Sequence, residues 1–360
     1  MIEFWRAGGS ETTATMDAAR SVEAEGWDGQ MFMDSQSLCA DPYVRMGVWA
    51  AATERLRLST GVTNPLTRHP AVTAAAAATL QSISAGRAVL GIGRGDSALA
   101  YLGHAPADLA VFRRTLSDLQ TLLSGGEVAF GADDCEASSL DTLSLGGRPT
   151  ACRLKWLPPG PKVPLDVAAT GPKVIEMSAP IAERVTFSVG AIPERMSWAL
   201  DLARAARRKQ GLSEEGISYG AQIIVVCHPD REAVRAAATS MVAPLARFQV
   251  IQGNAAGPQS GSDQENFAAI RMGYDMTQHG GLSHDKIKGT TLAWDFVQRF
   301  AIVGPPDHCV ERLLQLASLG IERFVVVGPG HHPESGTAGR SLFVREVMPA
   351  VRQRLKETPA

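Results

Sequence analysis

Short apolar runs alternate with longer amphipathic segments along the chain. The runs are rich in Val, Ile, Leu and Phe without strict polar alternation, which is typical of strands whose two faces are both covered. Eight such runs lie at 2–5, 28–33, 57–62, 87–92, 163–169, 184–189, 218–226 and 322–327. The pattern therefore predicts eight buried strands.

The segments between these runs have helical spacing or are rich in alanine. They lie at 13–25, 42–53, 70–84, 108–123, 172–182, 193–210, 230–248 and 307–319. Asp41 precedes Pro42 and His69 precedes Pro70, so two of these helices begin with a capping residue and a proline. Regular alternation of strand and helix predicts a parallel sheet, and eight such units predict an α/β fold of the (β/α)8 TIM-barrel type.

Two segments interrupt the alternation. Residues 125–162 are rich in Gly, Pro, Ser and Asp, and residues 250–290 mix polar residues around a short predicted helix at 264–275. Neither has a core pattern of its own, so we interpret them as insertions after strands 4 and 7 of one domain spanning 1–360. Long insertions in a compact domain are usually functional loops. A last helix near 341–355 is expected outside the barrel.

Composition narrows the class of protein. The chain has 360 residues, 45% of them hydrophobic, and a net charge of −2, so it has no basic field that would attract nucleic acid. We find no apolar run long enough to span a membrane and no signal-peptide pattern, and we expect a cytoplasmic protein. The five cysteines are far apart, which favours neither a disulfide framework nor a metal site.

A barrel of this type places its function at the carboxyl ends of the strands. After strand 3, Gly61 permits close backbone approach, and Pro65 holds Asn64 extended, so that Thr63 and Asn64 could face a flat ligand. An ordinary strand end is the alternative interpretation.

Strand 4 ends in Gly91-Ile-Gly-Arg-Gly-Asp-Ser97. The last glycine of a dinucleotide-binding fingerprint is replaced by Asp96, and we expect no helix to follow immediately, so a Rossmann site is excluded. Asp96 projecting into the barrel opening fits better, with a tight turn as the alternative.

Strand 5 runs into Thr170-Gly171-Pro172, whose backbone N–H groups at a helix start suit a phosphate; simple helix capping is the alternative. Gly190-Ala191 after strand 6 could add donors. The histidines of the second insertion and of the last loop, His279, His284, His331 and His332, are expected to be loop residues.

In order, these segments resemble the luciferase-like monooxygenase superfamily. The resemblance is nearest to the deazaflavin (coenzyme F-420)-dependent branch, which includes methylenetetrahydromethanopterin reductase. It rests on Thr60-Gly-Val-Thr-Asn-Pro-Leu-Thr-Arg-His-Pro70, Leu90-Gly-Ile-Gly-Arg-Gly-Asp96, Ala169-Thr-Gly-Pro-Lys173 and Phe300-Ala-Ile-Val-Gly-Pro-Pro-Asp307.

The resemblance implies a cofactor site. A non-prolyl cis peptide at Gly61–Val62 would support the cofactor ring, Thr63 and Asn64 would contact the ring or its tail, and Asp96 would line the same pocket. The phosphate would be held by Thr170, Gly171 and Pro172 together with Gly190 and Ala191. Ser35 would line the site where many relatives carry a histidine, which argues against alcohol oxidation by a histidine base.

The resemblance also implies candidates for proton transfer. Glu3 matches a barrel-lining glutamate of the reductase, although a buried, hydrogen-bonded carboxylate is the alternative interpretation. Asp34 and Asp96 are the other candidates, because a carboxyl buried at the barrel opening should have a raised pKa.

The function expected is hydride transfer between coenzyme F-420 and a small organic substrate. The first alternative is an FMN-dependent monooxygenase that uses O₂ and reduced flavin from a partner flavin reductase. The second is a non-catalytic flavin-binding relative. The resemblance further suggests a homodimer, whereas the substrate has no signature in the sequence.

Overall fold

The computed structural model describes residues 2–8, 15–130, 140–144, 146–279, 292–328 and 336–357. His284, His331 and His332 lie outside the described residues. The strands, in chain order, are β1 (Glu3–Ala7), β2 (Gly29–Phe32), β3 (Arg57–Thr60), β4 (Ala88–Ile92), β5 (Val128–Ala129), β6 (Ala151–Cys152), β7 (Leu165–Ala169), β8 (Arg184–Phe187), β9 (Ser218–Cys227), β10 (Ile302–Gly304) and β11 (Arg323–Val327).

Eight of these strands form a closed parallel barrel in the order β1-β2-β3-β4-β7-β8-β9-β11, with β11 pairing back to β1. All eight predicted strands are confirmed, and so is the TIM barrel. The sequence did not predict β10, which pairs with the last residues of β9, or the antiparallel pair β5–β6 in the first insertion.

The helices, in chain order, are α1 (Met16–Ala24), α2 (Pro42–Ala52), α3 (Pro70–Ile83), α4 (Ser97–Ala100), α5 (Leu109–Leu123), α6 (Pro172–Ser178), α7 (Pro193–Lys209), α8 (Arg235–Ala246), α9 (Gly261–Gly273), α10 (Trp294–Phe300), α11 (Pro306–Ser318), α12 (Gly336–Leu342) and α13 (Met348–Glu357). The predicted helices are confirmed. The last of them, near 341–355, corresponds to α12 and α13, which are joined by a π-helical turn. One expectation is wrong: a helix, α4, does follow Asp96, although it is a single turn.

Local chemistry explains where two of these helices begin. The Asp41 carboxylate accepts hydrogen bonds from the N–H groups of Tyr43 and Val44, and His69 Nδ1 accepts one from Ala71. A proline follows each cap at the first helical position, where its missing N–H costs nothing. The two predicted helix starts are therefore confirmed.

Side chains inside the barrel lie in layers, because inward-facing residues of alternate strands share one level. The strand registers put Trp5, Ser59, Asp166 and Gly220 at the middle level. Met31, Gly91, Thr186 and Val325 form the level above, and Gly29, Val89, Arg184 and Arg323 the level below. The interior is a packed core: a Cβ at Gly29 would come within 2.3 Å of the Trp5 ring.

The amino-terminal half of this interior carries an ion-pair network. Arg323 Nη2 lies 3.1 Å from Asp166 Oδ2, and both side chains are almost completely buried. Glu3 binds Arg184 at 2.5 Å and Arg57 at 2.9 Å. Burial lowers the pKa of Arg323 to about 10 although Asp166 opposes the shift. The network joins five strands, β1, β3, β7, β8 and β11, at the end of the barrel away from the predicted site.

We expect Glu3→Gln to destabilise the protein. Burial alone would raise the pKa of Glu3, but Arg184, the Trp5 indole and Arg57 outweigh it and lower the pKa below its usual 4.5. The stabilisation is therefore present above that value and is lost as pH falls through the lower folded pKa. Urea denaturation should show a loss of about 2 kcal/mol at pH 7 that shrinks in acid.

Asp17→Asn is the matched control, because Asp17 forms an exposed pair with Arg20 and should cost less than about 0.5 kcal/mol. Equal losses in the two variants would contradict a structural role for Glu3.

Candidate functional site

The carboxyl ends of the barrel strands surround an opening that we call the mouth. Its floor is the level of inward-facing side chains directly above the Met31 level, and its members are all half-buried, whereas the three levels beneath are buried. The floor residues are Ala7, Gly61, Ala168 and Gln222. Three of these four residues have at most one side-chain carbon, so the floor is low on the side of β1, β3 and β7.

The chain leaves β3 along one wall of the mouth. The Gly61–Val62 peptide bond is cis, at the position that the family resemblance implied. Thr63 then donates its N–H to Gly91 at 3.0 Å, and Gly93 donates to Thr63 at 2.9 Å. A Cβ at Gly93 would lie 3.1 Å from Val62 Cγ2 and 3.8 Å from Ala168 Cβ, so Val62, Gly93 and Ala168 form a continuous, small-residue surface.

The structure turns Thr63 and Asn64 away from this surface. Their exposed fractions are 0% and 2%, and Asn64 Oδ1 accepts hydrogen bonds from the N–H groups of Leu66 and Thr67. Side chains without accessible surface cannot touch a ligand unless the loop rearranges. The contact expected from these two side chains is therefore corrected: they shape the loop, in the manner of an Asx turn.

Asp34 lies at the carboxyl end of β2 and forms an ion pair with Arg68 at 2.5 Å. Arg68 also binds Asp41 at 2.7 Å and lies over the Tyr43 ring. Burial, with the Asp34 charge, raises the pKa of the Tyr43 hydroxyl. Asp34 is thus held as the acceptor of a charge-assisted hydrogen bond in a nearly closed environment.

Ser35, next to Asp34, is largely buried, and its hydroxyl lies 3.4 Å from that of Ser97. This contact joins the loop after β2 to the first residue of α4. Ser35 therefore lies beside the Asp96 loop, which is the position expected for a residue that lines the cofactor site. Little of its side chain is accessible to a ligand.

Asp96 begins α4 and forms an ion pair with Arg247, which is itself buried. Arg247 Nη2 is 3.2 Å from His279 Nε2, and His279 Nδ1 is 2.6 Å from the Tyr274 hydroxyl. Burial raises the pKa of Asp96, and the Arg247 cation offsets only part of this effect. The raised pKa has the direction expected for Asp96, but the cationic partner was not foreseen.

The second insertion packs against the loop after β4. Arg94 donates to Gln252 Oε1 at 2.7 Å, and the Tyr101 hydroxyl donates to the carbonyl oxygens of Met276 and His279 at 3.1 Å. His279, expected to be an ordinary loop residue, belongs to this contact. The insertion is therefore a fixed part of one side of the mouth over residues 247–279.

The predicted phosphate site is only partly assembled. Thr170, Gly171 and Pro172 lie half-buried between β7 and α6, with open space around the Cα of Gly171. Gly190 and Ala191 are buried, and the Ala191 N–H already donates to the Phe300 carbonyl at 2.8 Å. The expectation that Gly190 and Ala191 add donors is corrected, because α10, which the sequence did not predict, covers them.

Glu3 lies at the wrong end of the barrel for the role implied by the resemblance. Three levels of interior side chains, including Trp5, separate it from the floor of the mouth. Its lowered pKa is also the opposite of what a general acid near neutrality needs. The alternative interpretation, a hydrogen-bonded structural carboxylate, describes its surroundings.

Sequence reasoning did not single out Arg68 and Arg247 as residues of the candidate site. Arg68 lay within the quoted Thr60–Pro70 run, but no local signal distinguished Arg247, which meets Asp96 across 151 residues. Within the described residues, no three His, Cys, Asp or Glu side chains gather as a metal site would require. In the same part of the chain, no helix has the length and apolarity needed to cross a membrane.

Comparison with known families now places the chain. The model of the family described as luciferase-like monooxygenase matches residues 3–323. The chain belongs to this family. A 5,10-methylenetetrahydromethanopterin reductase of Methanolobus tindarius is 26% identical over 335 residues, covering 90% of this chain and 94% of the relative. An F420-dependent glucose-6-phosphate dehydrogenase of Microbacterium testaceum is 26% identical over 324 residues, covering 86% and 82%.

Solved structures share the fold. A coenzyme F420-dependent tetrahydromethanopterin reductase from Methanopyrus kandleri superposes with a TM-score of 0.70 at 21% identity, covering 97% of this chain and 99% of the other. An EDTA monooxygenase from Chelativorans gives 0.66 at 14% identity, covering 99% and 95%. A reductase and a monooxygenase therefore both have this barrel, and at these identities the likeness concerns the fold alone.

We expect Arg247→Met to raise the pKa of Asp96 further, because it removes a cation that favours the carboxylate. A group whose folded pKa is raised stabilises the fold below its unfolded pKa and loses that contribution as pH rises through the folded value. The variant should therefore lose more stability at neutral pH than at pH 4. Carboxyl ¹³C NMR, with the Asp96 signal assigned by its absence in Asp96→Asn, measures the pKa directly.

Arg94→Met is the matched control, since Arg94 binds carbonyl and amide oxygens of the same region and no carboxylate. An Asp96 pKa that stays unchanged in Arg247→Met would contradict the ion pair.

Proposed function

We propose that this protein is a coenzyme F-420-dependent oxidoreductase that transfers a hydride to or from a small organic substrate in the mouth of the barrel. The observation that carries the proposal is the low, small-residue surface formed by Gly61, Val62, Gly93 and Ala168. A flat ring needs such a surface, because it can lie close to the backbone only where the side chains beneath it are small.

The relatives support F-420 over FMN. Both relatives described above span most of this chain, and the dehydrogenase is named as F420-dependent. FMN-dependent monooxygenation is supported by the description of the family and by structural neighbours that share only the fold, so it is the alternative outcome of the binding experiment below.

The residues present fit a deazaflavin. Gly61, Val62, Gly93 and Ala168 would lie beneath its ring, and Thr170, Gly171 and Pro172 would hold its phosphate. When bound, F-420 would supply the hydride donor or acceptor, and the protein would supply position and a dry environment.

Two carboxyl groups at the mouth would have different roles. Asp96, whose pKa is raised by burial, is the candidate to donate or accept a proton at its carboxyl oxygen. Asp34, fixed by Arg68, would orient a neighbouring group by accepting a hydrogen bond. The homodimer suggested by the resemblance remains a prediction, which equilibrium sedimentation would measure.

Ala168→Leu should weaken F-420 binding about tenfold or more, because three added carbons rise into the space of the ring and overpacking costs about 1–3 kcal/mol. Fluorescence titration of the purified protein with F-420, repeated with FMN, measures both affinities. Ala51→Leu makes the same change at an exposed position of α2 and should leave binding unaltered.

Tight binding of FMN without binding of F-420 would replace the proposal by the monooxygenase alternative. Binding of F-420 with equal affinity by wild type and Ala168→Leu would contradict the placement of the ring.

Asp96→Asn should lower kcat for F-420-dependent turnover by about 10²-fold, the contribution of a positioned general acid, while the affinity for F-420 changes little. Steady-state kinetics over a range of pH on a substrate found by screening measures this. Turnover that is unaffected by the substitution would assign the proton transfer to another group, and an absence of turnover from any tested substrate would favour a non-catalytic flavin-binding relative.

A further inference from the structure

Gln222 differs from the other residues of the floor. Ala7, Gly61 and Ala168 have no polar side-chain atoms, whereas Gln222 brings a long amide to the same level. It faces inward from β9, in register with the buried Val325. Because the levels beneath it are filled, its accessible surface opens to the mouth.

One end of this amide is already engaged. The Ser188 hydroxyl donates to Gln222 Oε1 at 2.7 Å. The Nε2 group therefore turns away from Ser188, and its N–H groups have no acceptor within the part of the chain that the structure describes. An oriented donor with an open face is the arrangement expected of a ligand-binding amide.

A chain of buried polar groups holds Ser188. Gln249 Nε2 donates to the Ser188 carbonyl at 2.6 Å, and Arg195 Nη2 donates to Gln249 Oε1 at 2.6 Å. Arg195 is completely buried, and a guanidinium can only donate, so the orientation of Gln249 is fixed in turn. Burying a polar side chain costs free energy unless it is hydrogen-bonded. Ser188, Gln249 and Arg195 are all buried, and their hydrogen bonds fix the orientation of the half-exposed Gln222 amide.

We infer that Gln222 binds the substrate by donating a hydrogen bond from Nε2 to an acceptor atom, such as a carbonyl oxygen, and that Ser188 is its positioning residue. In the closed barrel β9 lies opposite β3, so the amide faces the Gly61–Val62 surface across the mouth. A substrate between them would have its acceptor atom fixed on the β9 side. This inference rests on the proposed function and names the substrate class: organic molecules with a hydrogen-bond acceptor beside the reacting carbon.

The test uses ¹⁵N-glutamine-labelled protein and acetone as the probe, because acetone accepts hydrogen bonds and cannot donate them. The Gln222 side-chain amide signal is assigned by its absence in Gln222→Met. Addition of acetone, with and without F-420, should shift this signal. A Gln222 signal that does not move in either condition would overturn the inference.

Three variants sharpen the test through the affinity for acetone, read from the remaining protein signals. Gln222→Met, nearly isosteric, should weaken binding about tenfold, the usual value of one such hydrogen bond. Gln222→Glu keeps an acceptor for the Ser188 hydroxyl but replaces the N–H donor by a carboxylate oxygen. It should therefore weaken the binding of acetone and strengthen the binding of the isopropylammonium ion. Ser188→Ala should fall between wild type and Gln222→Met, and unchanged acetone affinity in all three would overturn the inference.

A failure of the Gln222 inference can be distinguished from a failure of the proposed function. F-420 affinity is measured for every variant, and Gln222→Met should retain it within about twofold, because the amide faces the ring surface from the other side. If wild type fails to bind F-420, the proposed function fails, yet the amide shift in acetone alone still decides the role of Gln222. Thermal melting checks that each variant is folded.

Discussion

Closure of the eight parallel strands is the constraint on which the remaining features depend. Once β11 pairs with β1, and β8 with β9, the stagger between strands fixes which inward-facing side chains share a level. Trp5 fills the middle level, and Ala7, Gly61 and Ala168 leave the upper one low. The same constraint puts Gln222 opposite the wall that carries Val62. The mouth is therefore shaped by the strand registers as much as by its loops.

The charged side chains at the two ends of the barrel have different surroundings. At the amino-terminal end, Glu3 and Asp166 are matched with arginines inside a packed interior, where ion pairs contribute to holding the strands in register. At the mouth, Asp34 and Asp96 are each bound to one arginine but retain a place beside the open surface. Burial acts on both ends, yet the balance of cations lowers the pKa of Glu3 and leaves that of Asp96 raised. Only the surroundings of Asp96 shift a carboxyl pKa in the direction that a general acid requires.

Much of the fold could be predicted because its signals are local. Apolar runs bounded by helical segments marked all eight barrel strands, and caps followed by proline marked the starts of α2 and α3. The candidate site was located at the correct end of the barrel for the same reason, since it follows from where each strand ends. Its details were less predictable. Whether Thr63 faces the mouth or the interior depends on how the loop after β3 packs, and sequence spacing does not encode that direction.

The sequence by itself determined the class of fold, the family and the small residues that keep the floor of the mouth low, because these depend on residue type and local order. The tertiary structure alone decided which charges meet. Asp96 and Arg247 are 151 residues apart, the donor at Ala191 is occupied by Phe300 from an unpredicted helix, and three levels of side chains separate Glu3 from the floor. These relations arise only when the closed barrel brings distant segments together, since burial and hydrogen bonding depend on neighbours in space.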